Sequence, residues 1–222
     1  MTNITYKKDN RIFQFQFETS NSKTGNMVQS FILPIDWITS DKKIQEIGDS
    51  SVCFDCEHNM SNKKDCYVIK GNSLMGLLSK VRSLRKKGID SIPEFDSFIE
   101  EKILEAVKGR AVRFGSYGEP VLLGEDLISK IAERASYWTG YTHQWHTNNW
   151  AKKFFMASVE SNLINRAAQA MGWRTFFVGK TDDSSLITCP ASKEAGYKTT
   201  CENCKLCMGT TSRAKSIKIN KH

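Results

Sequence analysis

The chain has 222 residues, 40% of them apolar and 25% charged, the balance of an ordinary globular protein that can bury a core without staples. That balance argues against disorder, and a membrane protein is excluded as an expectation too: no apolar run approaches the ~20 residues of a membrane span, and MTNITYKKDNRIFQF lacks the apolar centre of a signal peptide. A reducing cytoplasm is therefore the expected compartment, and the formal net charge of +8 favours a polyanionic partner such as nucleic acid.

Taken in order, RIFQFQF (11–17) alternates as a half-buried strand does, and ETSNSKTGN supplies turn chemistry. MVQSFILPIDW (27–37) reads as a core strand broken by Pro34. A polar stretch then leads to CFDCEHNMSNKKDCY, a loop over 53–67 with three cysteines. Helical spacing of Leu74, Leu77, Leu78, Val81 and Leu84 predicts a helix over 72–87 with its basic residues at the C-terminal end, where the helix dipole favours them. The run Arg82 to Lys87 is read as a solvated helix end. A second helix is predicted over 97–107.

From Arg110 onward short strands alternate with helices. Strands are predicted over 111–115, 138–144, 154–159 and 175–178, with a further one near 185–188, and helices over 124–135 and 162–171. Helix-length crossovers imply parallel pairing, so the expected fold is α/β: a partial, open parallel α/β barrel, with a doubly wound sheet as second choice. Either places a ligand site beyond the C-terminal strand ends, lined by Gly115 to Pro120, by His143 and His146, by Glu160 and Asn162, and by Lys180. Two regions are expected, the barrel over 1–185 and a cysteine-rich, metal-binding extension with a basic tail over 186–222, whose SIKI is a candidate final strand.

All seven cysteines fall into two sets, Cys53, Cys56 and Cys66 (C-x2-C-x9-C) and Cys189, Cys201, Cys204 and Cys207 (C-x11-C-x2-C-x2-C). Scattered small core residues would not group this way, and in a reducing compartment metal ligation is the reading that fits both. Three thiolates hold a 4Fe-4S cluster with one iron left without a protein ligand; the alternative is a structural zinc completed by His58. The second set contains four ligands, with a ferredoxin-like C-x2-C-x2-C step and a Cys189–Pro190 pair, and suits a second cluster or, again, zinc. Between the sets, RFGSYGEP offers Gly115 and Gly118 for close approach of a ligand and Glu119 as a polar group at a strand mouth. His143, with Glu119, is a candidate acid or base on the same rim, and Trp138, Tyr141, Trp145 and Trp150 are either core residues or stacking platforms.

A three-cysteine loop followed by a helix and then by a strand ending in GSYGEP resembles the layout of radical S-adenosylmethionine enzymes. That resemblance implies Cys53, Cys56 and Cys66 as cluster ligands, Gly118 and Glu119 against the methionine moiety of S-adenosylmethionine, an electron donor, and a radical reaction. It departs from the usual pattern in its cysteine spacing, in the aromatic Tyr67 following the last cysteine, and in the glycines being separated by Ser116 and Tyr117. Over nearly its whole length the chain is similar to a family of bacteriophage and plasmid proteins through NSKTG, RFGSYGEP, WTGYTHQW, MGWRTF and the CPASKEAG-to-CENCKLC segment. The expectation is an iron-sulfur enzyme acting on a nucleotide or nucleic acid; its rival is a zinc-stabilised nucleic-acid-binding module.

Overall fold

The computed structural model describes residues 3–18, 23–60, 62, 66 and 73–220, the side chains of Ser73 and Leu74 excepted. Tyr67, the start of NSKTG and the last two residues of the tail lie outside the described residues. The described residues fold as a mixed α/β protein with two five-stranded sheets. The first has the order β1 (Ile4–Lys8), β2 (Arg11–Gln16), β3 (Val28–Pro34), β4 (Ala111–Tyr117) and β5 (Tyr137–Thr139). β1, β2 and β3 pair antiparallel, and β3, β4 and β5 pair parallel. The β1–β2 hairpin turns on Asp9 and Asn10, both with positive φ, which short polar side chains tolerate. That turn was the overlooked signal for β1, whose ITYKK lacks a clear alternation.

The second sheet is parallel throughout and follows the order β6 (Tyr141–Thr142), β7 (Met156–Val159), β8 (Thr175–Val178), β10 (Ile217–Ile219) and β9 (Ile187–Thr188). Only Gly140 separates β5 from β6. A Cβ there would stand 2.6 Å from the Phe155 ring, so the junction between the sheets needs glycine for close packing. The expected strand over 138–144 is thus two short strands, and its end, Gln144–His146, is a 3₁₀ turn.

Among the described residues, four helices longer than two turns cross between strands: α1 (Ser73–Lys87), α2 (Ser97–Val107), α3 (Glu125–Arg134) and α4 (Asn162–Ala170). Their spans follow the apolar periodicity, and two begin at side-chain caps, Asp96 accepting from Ile99 N at 2.8 Å and Ser161 from Ile164 N at 3.2 Å. Alternate strand residues divide between the faces. Val112, Phe114, Trp138, Ala157, Val159 and Phe177 join Leu77, Ile103, Ile128 and Ala168 of the helices in the main core. Ala111, Tyr137, Met156, Phe176 and Ile217 face the other way and form a second core with Cys189, Cys201 and Cys207. The C-terminal segment is therefore no appended extension: β10 lies between β8 and β9, and the cysteines cover the sheet face that the helices leave bare.

The basic end of α1 is exposed, as expected, and Arg85 also reaches back to an earlier turn. Arg85 Nε donates to Trp37 O at 2.7 Å and its Nη2 to Lys42 O at 3.1 Å, fastening the turn that enters the cysteine loop. Further up, Lys80 lies 4.2 Å from the Phe31 ring centroid and donates to Gln14 and Gln16 on β2. Burial lowers its pKa to about 8 from 10.5. The unfolded chain then binds more protons than the folded one between those values, so this residue adds stability as pH rises from about 8 to 10.5. Lys80→Met is accordingly expected to gain most over wild type at pH 7 and to lose that advantage by pH 10.5, read from urea unfolding at several pH values. A gain that stays constant with pH would show that Lys80 is not the titrating group.

Candidate functional site

The C-terminal ends of β3, β4, β6 and β7 deliver their following residues to one place. A helical turn, Ser50–Cys53, carries the first cysteine. It is locked by Asp49, a buried carboxylate that accepts from Met60 N at 2.8 Å and from the Tyr117 hydroxyl at 2.8 Å. Phe54, between Cys53 and Cys56, takes a positive φ of 48°, a costly conformation for a bulky side chain. It is held there by Asn59, whose amide donates to Phe54 O at 2.8 Å, while Asn62 caps Cys56 O at 3.0 Å and Cys66 N donates to His58 O at 3.0 Å. Asp49 and Asn59 escaped the sequence reading, since a carboxylate or amide that ties a loop has no periodic signature.

The GSYGEP turn meets this loop directly: Glu119 N donates to Val52 O at 2.8 Å. Gly118 has φ of 78°, and a Cβ on it would sit 2.7 Å from Ile32 O; Gly115 has φ of 63° and a Cβ there would meet Pro120 at 2.9 Å. Both glycines thus permit a sharp turn packed against β3, and their expected exposure to a ligand is secondary to that duty. The Glu119 carboxylate is buried and already engaged. It accepts from Thr142 Oγ1 at 2.7 Å and from His143 N at 3.1 Å, and its Oε1 lies 2.9 Å from His143 Nδ1. Glu119 therefore orients His143 and does not itself stand open at the mouth.

The other ring nitrogen, His143 Nε2, lies 3.3 Å from Glu160 Oε1, and His58 Nε2 approaches the same oxygen at 3.6 Å. Glu119, His143, Glu160 and His58 thereby alternate carboxylate and imidazole from the β4 turn to the cysteine loop. Burial alone would push the His143 imidazole down, but hydrogen bonding with Cys56, Glu119 and Glu160 outweighs it and holds His143 well above its usual range. Burial would likewise raise Glu160, yet its contacts with His143 and His58 take it down to about 2. His143 and Glu160 form an ion pair at the mouth. His146, the other candidate histidine, is half exposed, 3.9 Å from Asp55, and stands at the outer rim.

All seven cysteines are free thiols. Burial, followed by the charges of Asp49 and Glu119 and the neighbouring Cys56 and Cys66, pushes the Cys53 thiol far up. The second set lines one pocket: Cys189, Cys201, Cys204 and Cys207 enclose it with Thr139, Tyr141, Leu206 and Ile217. Burial and the adjacent Cys189 raise Cys207 to about 12, against a hydrogen bond from Tyr141. Among the described residues, no group of three or more His, Cys, Asp and Glu side chains is arranged to hold a metal ion. Loading either set therefore requires the sulfurs to lose their protons and draw together. The donor chemistry suits a thiophilic metal or cluster, and the second pocket has a feature that favours one: the buried Thr139 Oγ1 has no hydrogen-bond partner among the described residues.

The proposed stacking aromatics are mostly core. Trp138 is buried with its Nε1 donating to Phe154 O at 2.9 Å, Tyr141 packs on Phe176 at 4.1 Å, and Trp145 and Trp150 rest against the main core. No described helix is long and apolar enough to cross a membrane. Comparisons with protein-family models, with curated proteins and with solved structures gave no match.

Proposed function

We propose that the chain is a radical S-adenosylmethionine-like iron-sulfur enzyme, with the parallel strands on both sides of Gly140 forming one open barrel around the site. The observation that carries this reading is the hydrogen bond from Glu119 N to Val52 O, which brings the GSYGEP turn and the three-cysteine loop to the same rim. Cys53, Cys56 and Cys66 would hold a 4Fe-4S cluster, which when bound supplies one-electron reduction at an iron free of protein ligands.

The chain's own residues prepare the surroundings. Glu119 fixes the His143 ring through Nδ1, so that Nε2 points at Glu160 and the imidazolium is flanked by two carboxylates. That pair presents a fixed charge pattern to a zwitterionic ligand at the mouth and keeps a proton on His143 Nε2. Cys189, Cys201, Cys204 and Cys207 would hold a second metal group. The two sets are linked through one short segment: Tyr141, on β6, lines the second pocket, and His143, just past the end of β6, hydrogen-bonds with Cys56 of the first set. An electron donor would dock near the second set and pass electrons through it to the first. The net charge of +8 makes a nucleotide or nucleic acid the proposed target.

Anaerobically purified protein is expected to contain iron and acid-labile sulfide and, after reduction, to release 5′-deoxyadenosine from S-adenosylmethionine. Cys66→Ala should abolish the product, and Cys204→Ala should remove roughly half the iron, as expected for two separate sets. Stoichiometric zinc without iron in such a preparation would overturn the proposal and leave the zinc-stabilised binding module in its place.

A further inference from the structure

We propose that Thr139 is a built-in hydrogen-bond donor to sulfur in the metal group held by Cys189, Cys201, Cys204 and Cys207, its hydroxyl becoming paired when that group binds. The inference rests on the proposed metal occupancy of this pocket and names a residue that tunes it. Thr139 is the last residue of β5, 2% exposed, and lines the same pocket as all four cysteines. Its Oγ1 is buried without a hydrogen-bond partner among the described residues. A buried hydroxyl of this kind is a standing cost, which valine would avoid with the same shape and a better fit to a strand. Thiol groups are weak acceptors, whereas metal-bound thiolate or inorganic sulfide is anionic and accepts strongly.

The surroundings point the same way. Thr200, immediately before Cys201, carries another buried hydroxyl without a partner among the described residues. Tyr141 lines the pocket, and the Arg113 guanidinium lies 5.6 Å from its ring centroid, placing positive charge behind it. Four thiolates bring a concentrated negative charge into a largely apolar pocket. A hydrogen-bond donor in the pocket wall stabilises that charge, and for an iron-sulfur cluster it raises the reduction potential.

The test compares Thr139→Val and Thr139→Ser in full-length protein, with cobalt(II) as the probe and its thiolate absorption assigned to this pocket by loss in Cys204→Ala. Thr139→Val should leave the unfolding midpoint of the metal-free protein unchanged or higher, because an unpaired hydroxyl has gone. The same variant should bind cobalt about 10- to 100-fold more weakly, and Thr139→Ser should restore affinity toward wild type. In iron-loaded protein, Thr139→Val should shift the midpoint potential of the Cys204-dependent cluster to more negative values. Unaltered cobalt affinity in Thr139→Val, with the Cys204-dependent band present, would overturn this inference and leave metal binding intact. A less stable metal-free Thr139→Val would also overturn it, since Thr139 would then be structural. Absence of any Cys204-dependent metal in wild type would overturn both the inference and the metal reading beneath it.

Discussion

Replacing Glu119 by alanine is expected to lower the unfolding free energy by about 3–5 kcal/mol, because it strands buried groups that the carboxylate now satisfies, at about 1–3 kcal/mol for each. Those groups are the Thr142 hydroxyl, the His143 amide and His143 Nδ1, and the first is fully buried. Glu119→Gln should cost less, since the amide oxygen still accepts from the hydroxyl and the main chain. Neither variant disturbs the backbone link from Glu119 N to Val52 O. Urea unfolding at constant m-value provides the measurement. An alanine variant within 1 kcal/mol of wild type would mean that water or another group satisfies these donors, and would remove the basis for calling Glu119 the residue that orients His143. The functional consequence expected alongside is reduced 5′-deoxyadenosine release in both variants, since even glutamine removes one of the groups, with Cys56 and Glu160, that hold the His143 pKa up.

Arg174→Met is the second large effect. The guanidinium, buried at the start of β8, donates to Leu206 O at 2.8 Å, Gly209 O at 2.9 Å and Lys215 O at 2.7 Å. One side chain thereby fastens the loop that contains Cys207 and leads into β10. Methionine fills the volume but leaves three carbonyls without their donor, so a loss of about 3–5 kcal/mol is expected. Lysine should rescue only in part, because an ammonium cannot span three acceptors as the planar fork does. The loss should be local as well as global: trypsin should cut first near Lys205, Arg213 and Lys215, and Cys207 should react with a thiol reagent ahead of Cys53. A variant as resistant to trypsin as wild type would show that β10 pairing alone holds the segment.

The same contrast between local and distant causes explains what could be read in advance. α1 to α4 were legible because burying one helical face imposes a 3.6-residue apolar period on the sequence itself. The RIFQFQF alternation and the FILP break located β2 and β3 for a similar reason. The basic residues of the Arg82–Lys87 run are exposed, as their charge implies, but the partners of Arg85, Trp37 O and Lys42 O, lie more than forty positions earlier in the chain and left no local signal. The 138–144 stretch was misjudged because Gly140, a packing necessity against Phe155, divides it between two sheets.

By itself, the sequence determined the α/β class, the four helices, and the division of cysteines into sets of three and four, since each depends on composition or spacing along the chain. The tertiary structure alone decided that β10 enters between β8 and β9 and that the second cysteine set covers the helix-free face of the sheet. It also decided that Glu119, His143, Glu160 and His58 form one row and that Thr139 lines one pocket with four thiols. These are meetings of segments far apart in the chain, set by strand register and crossover path, and a single strand or loop carries no local pattern that records which distant residue it will face.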